Sequence, residues 1–184
     1  TPISAGVTIQ VITGEQDGKK ELSTILVETG TPGYRAEKIR GKMMWRAIDT
    51  ARLYFDNVRV PKSNLLGNLG DGSKIMLETL DSGRLTLAAM GLGLARGAFE
   101  MAMNYAKKRQ QFGKPISKFQ VNAFKLADMA TKIELARNLL YHATWLKDNG
   151  HQYAKEAAMA KLYCSEIAKE IADESLQIHG AYGL

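Results

Sequence analysis

The chain has 184 residues, of which 45% are hydrophobic and 24% are charged, and its formal net charge is +6. This composition excludes intrinsic disorder and a collagen-like structure. A single cysteine excludes an intramolecular disulfide, and three scattered histidines lack the spacing of metal ligands. The longest uncharged apolar run, Leu85 to Leu94, is far shorter than the ~18 residues that cross a bilayer. We expect a soluble globular protein that binds no nucleic acid, because its only tight basic cluster is Lys107 to Arg109.

The first 68 residues are predicted to form β structure. Apolar residues alternate from Val7 to Val11 and again from Leu53 to Phe55, and Leu22 to Val27 is a short apolar run. Between the first two runs, Asp17-Gly18 is a hairpin signal. Three or four strands would have unpaired edges and too little area for an independent core, so this region is predicted to be part of a larger sheet.

Four helices are predicted next, over residues 73–80, 83–110, 119–148 and 152–177. In the last two, apolar or small residues recur at alternating spacings of three and four. They stand at positions 126, 129, 133, 136, 140 and 143, and at positions 157, 160, 164, 167 and 171. The predicted class is therefore α+β, with a partial antiparallel β domain over residues 1–68 and an up-down four-helix bundle over residues 69–184. The sequence ends inside a motif, which suggests a truncated bundle and a fragment of a longer protein.

The segment between the second and third helices carries groups that suit a nucleotide. Arg109 at a helix end can pair with a diphosphate, Phe112 offers a ring face to an adenine, and Gln120 can both donate and accept a hydrogen bond. A plain helical connection with an exposed arginine and a core phenylalanine explains the same residues, and the segment alone leaves both interpretations open.

Three further motifs accompany this segment in the same order along the chain. They are Asp49-Thr50 followed by Val58-Arg59-Val60-Pro61, then Leu80-Asp81-Ser82-Gly83-Arg84, then Gln177-Ile178-His179-Gly180-Ala181-Tyr182-Gly183. With Arg109 to Gln120, they resemble the acyl-CoA dehydrogenase family, whose members carry S-D-T before V-R-V-P, L-D-x-G-R, R-x-x-F-G-x-x-I and Q-x-x-G-G-x-G. The four motifs span most of the chain.

The resemblance implies the late middle β domain and most of the C-terminal helical domain of a homotetramer that holds FAD between its subunits. Arg109, Gln111 and Phe112 resemble positions that reach the ADP part of FAD in the neighbouring subunit. Further cofactor contacts are implied for Phe119, Gln120, Gln177, Gly180 and Ala181. The family usually has glycine where Ala181 stands, and a methyl group there disfavours a positive φ beside a phosphate.

The implied reaction is α,β-dehydrogenation of an acyl-CoA thioester to a trans-2-enoyl-CoA, with electrons passed to an electron-transfer flavoprotein. Asp81, Ser82, Gly83 and Arg84 are assigned to the acyl-CoA, although a helix cap at Asp81 or Ser82 and an ion pair between Asp81 and Arg84 are simpler roles. The required carboxylate base is expected beyond Leu184. A minority of members place it at the position of Gly83, and glycine cannot accept a proton.

Two other interpretations stay open. An acyl-CoA oxidase or a flavin monooxygenase is built on the same scaffold, and the chain as it stands is also explained as a non-catalytic structural fragment. The implied location is the bacterial cytoplasm or the mitochondrial matrix. Met90, Met101, Met103, Met129, Trp45 and Trp145 are expected to be packing residues.

Overall fold

The computed structural model describes residues 2–184, which divide into two compact units. The first unit runs to Leu77 and the second from Glu78 to Leu184. Among the described residues, no helix is both long and apolar enough to cross a membrane.

Antiparallel strands build the first unit. Strand β1 (Gly6–Gln16) pairs with β2 (Lys19–Glu28), and the two residues between them, Asp17 and Gly18, have φ values of 51° and 73°. Positive φ at both positions of a two-residue turn matches the twist of the paired strands, so the hairpin prediction is confirmed.

A second sheet and a short edge strand complete this unit. Strand β3 (Tyr34–Lys38) pairs with β4 (Ala51–Phe55), and the short β5 (Leu65–Leu66) adds to the far edge of β2. The pattern of apolar residues did not single out β3. Among the described residues of this unit, the buried side chains are those of Ser23, Thr24 and Val27. A core of this size is small for an independent sheet.

Three long helices form the second unit and the chain leading into it. They are α1 (Gly72–Lys108), α2 (Gln120–Asp148) and α3 (Ala154–His179). All eleven positions that the spacing placed on the inner faces of α2 and α3 are buried. Helix α1 contributes Leu85, Ala88, Leu92, Ala95, Ala102 and Ala106 to the same core. The α+β class and the up-down arrangement of the helices are confirmed.

The two helices predicted over residues 73–80 and 83–110 are one continuous helix, so the described chain contains three long helices and not four. Glycine inside a helix costs about 1 kcal/mol relative to alanine, which is by itself too little to end a helix. Because Asp81 and Ser82 lie inside α1, the predicted helix cap at these residues is wrong.

Between α1 and α2 the chain forms a miniature hairpin. Strands β6 (Gln110–Gln111) and β7 (Lys114–Pro115) pair across Phe112 and Gly113, whose φ values are 51° and 76°. The break predicted between the helices is confirmed, and its form is a two-residue turn with positive φ at both positions.

The expected packing residues divide into two groups. Met129 is buried and Met103 packs against the core, as predicted. Met90, Met101, Trp45 and Trp145 all keep more than a third of their surface exposed, so the prediction is wrong for these four. Met90 and Met101 lie on the face of α1 opposite its core stripe, and a position within a helix does not decide which face a residue occupies.

Candidate functional site

The predicted substrate residues lie in one turn of α1 and are all half-buried. Arg84 Nη1 donates to Asp81 Oδ1 at 2.5 Å, an ion pair between residues three apart on the helix. This pair fixes the guanidinium direction, and 41% of the arginine side chain remains exposed to a ligand. The simpler role weighed for Arg84 is therefore present in the structure.

Lys147 belongs to the same turn, although the sequence reasoning missed it. Its Nζ donates to Ser82 Oγ at 2.7 Å across 65 positions of sequence. Because α2 runs antiparallel to α1, its last turn lies beside this early part of α1. A cation in the last turn of α2 was therefore the signal that would have identified Lys147.

The cofactor residues of the first group lie on and beside the β6–β7 hairpin. Arg109 follows the last residue of α1, and its side chain is exposed without an acidic partner among the described residues. Phe112 is 92% exposed and has a positive φ, which is a rare conformation for a bulky side chain. An exposed, strained aromatic beside an unpaired arginine is the combination that a nucleotide ligand would use.

Phe119 and Gln120 follow this hairpin at the start of α2. The Phe119 ring meets Phe112 edge to face, with centroids 6.2 Å apart. Lys114 Nζ lies 4.5 Å from the centroid of the Phe119 ring, so a second cation joins the aromatic pair. Gln120 is exposed, and its side chain has no partner in the described part of the chain.

The second group of cofactor residues lies where α3 ends. Gln177, Gly180 and Ala181 line one open cleft of about 530 Å³. Gly180 has a φ of 60°, whereas Ala181 is not among the residues with positive φ. The glycine that this backbone requires is thus present, and alanine at the next position needs no strained conformation.

A ring stack joins α1 to the end of α3. The His179 ring stacks on Tyr105 with centroids 4.6 Å apart, and His179 Nδ1 lies 2.7 Å from Ser175 O. Because Tyr105 is in the last turn of α1, the Gln177–Ala181 loop lies at the same end of the bundle as the β6–β7 hairpin.

The predicted substrate turn lies in the first half of α1, and the predicted cofactor residues lie where α1 ends. Arg84 and Arg109 are 25 residues apart, which corresponds to roughly 37 Å along a helix that rises 1.5 Å per residue. Within one chain the structure brings the two cofactor groups to one end of the bundle and leaves the substrate turn distant from them.

Comparison with known proteins decides the family. The model of the acyl-CoA dehydrogenase C-terminal domain matches residues 70–184. The chain belongs to the acyl-CoA dehydrogenase family. A probable acyl-CoA dehydrogenase of Bacillus subtilis is 46% identical over 178 residues, which cover 96% of this chain and 47% of that protein. The family assignment made from the four motifs is confirmed.

Solved structures of the family show the same fold. Butyryl-CoA dehydrogenase from Megasphaera elsdenii matches with a TM-score of 0.89 and 42% identity, over 96% of this chain and 46% of that one. A prolyl acyl carrier protein oxidase matches with a TM-score of 0.91 and 34% identity, over 98% of this chain and 48% of that one. The chain thus spans about half the length of the relatives it matches.

Proposed function

We propose that the complete protein is an FAD-dependent acyl-CoA dehydrogenase that converts an acyl-CoA thioester into a trans-2-enoyl-CoA. The observation that carries this proposal is the separation of two ligand-suited groups along α1, in a chain that belongs to this family. When bound, FAD would supply the acceptor for the hydride that leaves the β carbon. Electrons would then pass to an electron-transfer flavoprotein.

The Asp81–Arg84 turn is the proposed contact with the acyl-CoA. Asp81 orients the Arg84 guanidinium, and Lys147 holds the Ser82 hydroxyl. The turn therefore presents a fixed positive charge that would favour the negative charge developing on the thioester oxygen when the α proton leaves.

The base is proposed to be a carboxylate outside this turn. A minority of family members carry the base at the position of Gly83. Glycine has no group that accepts a proton, so Gly83 is not the base. The relatives are about twice as long as this chain, and we place the carboxylate in the part of the complete protein that follows Leu184.

The cofactor is proposed to be shared between subunits. Arg109, Gln111 and Phe112 on the exposed hairpin would hold the ADP part, and Gln177 to Ala181 would hold the diphosphate. These residues are roughly 37 Å along α1 from Arg84, so they would serve the substrate turn of another copy. This geometry supports an oligomer, which we propose to be a homotetramer.

The activity is tested on the complete protein by anaerobic addition of a panel of acyl-CoA esters. The flavin absorbance is expected to bleach as the flavin is reduced, and an absence of bleaching with every ester would refute the dehydrogenase. For the cofactor site, Arg109→Ala is expected to lower the flavin content after gel filtration. Lys161→Ala removes an exposed cation of α3 instead and should leave the flavin content unchanged.

A second candidate is an oxidase, favoured by the match to the prolyl acyl carrier protein oxidase. The two candidates differ in how the reduced flavin is reoxidised. Rapid reoxidation by dioxygen, with formation of hydrogen peroxide, would support the oxidase. Slow reoxidation by dioxygen and rapid reoxidation by an electron-transfer flavoprotein would support the dehydrogenase.

A further inference from the structure

Strand β3, the start of β4 and the loop that joins them carry most of the net positive charge of the chain. Residues 34–52 contain six basic and two acidic residues, a net charge of +4, whereas the whole chain carries +6. The basic residues are Arg35, Lys38, Arg40, Lys42, Arg46 and Arg52. Most of the net positive charge is therefore carried by about a tenth of the sequence, which is not the pattern of a uniformly solvated basic surface.

Only part of this charge is neutralised locally. Glu37 accepts from Arg35 at 3.5 Å, and Asp49 pairs with Lys38. Both acids of the segment are thus engaged, and neither Arg40 nor Arg46 has an acidic partner in the part of the chain that the structure describes.

Hydrogen bonds from Lys42 fix the conformation of the loop between β3 and β4. Lys42 Nζ donates to Trp45 O at 2.8 Å, to Thr50 Oγ1 at 2.9 Å and to Ile48 O. Arg46 Nε in turn donates to Lys42 O at 2.9 Å. These bonds hold Trp45 at a φ of 55°, a strained conformation for a bulky residue and one that concentrates at ligand sites.

The result is an open cleft of about 280 Å³, lined by Lys38, Ile39, Arg40, Gly41, Lys42 and Arg46. This volume is below the range of about 300–1,000 Å³ that is typical of a drug-sized ligand, so it suits one small group. Guanidinium groups bind phosphate oxygens through paired N–H donors, and bringing several cations together around one cleft favours an anion. Met43 and Trp45 add exposed apolar surface in the same loop.

We propose that this cleft binds a phosphate ester, with Arg40 and Arg46 on the phosphate and the apolar side chains of the loop against the rest of the ligand. The phosphate belongs either to a soluble nucleotide or to a phospholipid headgroup. This inference goes beyond the proposed function and does not depend on it, since it uses neither the substrate turn nor the β6–β7 hairpin.

The test uses the complete protein, and isothermal titration calorimetry measures the binding of the soluble ligand. One arm titrates adenosine 3′,5′-bisphosphate, with adenosine as the uncharged control. The other arm measures co-sedimentation with phosphatidylglycerol vesicles and with phosphatidylcholine vesicles. We expect saturable binding in at least one arm that weakens as salt is added. Binding in the first arm identifies a soluble phosphate ester, and binding only to the anionic vesicles identifies a headgroup.

Matched variants decide whether the cleft is responsible. Arg40→Gln with Arg46→Gln is expected to weaken binding about tenfold or more, because charge-assisted hydrogen bonds are lost. Lys161→Gln with Lys169→Gln removes the same charge from exposed positions of α3 and should preserve the affinity. Arg40→Gln alone changes a side chain that makes no hydrogen bond or ion pair within the described residues, so it separates loss of binding from loss of folding. No binding in either arm, or equal loss in the α3 control, would overturn the proposal.

Discussion

Asp71 shows how one carboxylate organises the start of the long helix. Its Oδ2 accepts from the Asn68 backbone N–H at 2.9 Å and from the Asn68 side-chain amide at 3.0 Å, and its own carbonyl accepts from the Ile75 N–H. The two bonds to the carboxylate lower the pKa of Asp71 below its ordinary value of 3.8, the backbone bond contributing most.

This shift predicts a pH-dependent contribution to stability. A pKa that is lower in the folded chain stabilises the fold above pH 3.8, and the contribution is lost as the pH falls through the folded pKa. Asp71→Asn should therefore lower the free energy of unfolding in urea at pH 6, and its difference from the wild type should shrink towards pH 2. Asp173→Asn, at an exposed position of α3, is the control and should show no such difference. A cost of Asp71→Asn that does not change with pH would contradict this role.

Cys164 is a second residue whose surroundings decide its behaviour. It is completely buried between the helices, and this burial raises the pKa of its thiol. Since the thiolate is the reactive form, we expect no measurable reaction with a thiol reagent at pH 8 in the folded chain and rapid reaction of one thiol in guanidinium chloride. Rapid reaction of the folded chain would show that the bundle opens on the time scale of the assay.

Gly91 and Gly93 of α1 differ in the space available for a side chain. A Cβ at Gly91 would lie 2.8 Å from the carbonyl oxygen of Cys164 in α3, whereas a Cβ at Gly93 would meet nothing within 4 Å. Gly91→Ala should therefore destabilise the chain by about 1–3 kcal/mol through overpacking, and Gly93→Ala should stabilise it by about 0.5–1 kcal/mol through helix propensity. Thermal and urea unfolding of the two variants measure both effects. Stability changes of the same sign would contradict the proposed difference between the two positions.

How far the sequence predicts each element depends on how local its cause is. The inner faces of α2 and α3 were predictable because one period repeats along each helix, and the Asp17-Gly18 turn because its signal is two residues long. Strand β3 lacks such a signal, and its partner β4 begins thirteen positions after β3 ends. The continuity of α1 through Gly83 was not predicted, because one glycine lowers helix propensity without deciding whether the helix ends.

The candidate site, too, was predictable only where the cause of a contact is local in the sequence. Its residues were named from motifs, but the Ser82–Lys147 bond joins positions 65 apart, and the distance between the substrate turn and the hairpin follows only from the unbroken length of α1. The Asp81–Arg84 pair was predictable because it connects neighbouring turns of one helix.

At the scale of the whole molecule, α1 carries a second apolar face that the described chain leaves uncovered. Leu80, Leu87, Leu94 and Met101 are spaced seven residues apart, and all four are exposed, Leu94 by 63% and Met101 by 66%. No charged residue occurs from position 85 to position 95. A continuous apolar helix face with heptad spacing is typical of a surface that packs against another helix.

We predict that this face mediates self-association, in agreement with the proposed oligomer. Exposed leucines on one helix of each copy would bury each other around a two-fold axis, the commonest arrangement of identical subunits. Sedimentation velocity at micromolar to tens of micromolar concentration should show species larger than a monomer. Leu87→Gln with Leu94→Gln should shift the distribution towards monomer, because each change removes apolar area worth about 1.5–3 kcal/mol when buried. Met43→Gln removes an exposed apolar side chain of the first unit and should leave the distribution unchanged. An equal shift in that control would indicate nonspecific hydrophobic association and would contradict a defined interface on α1.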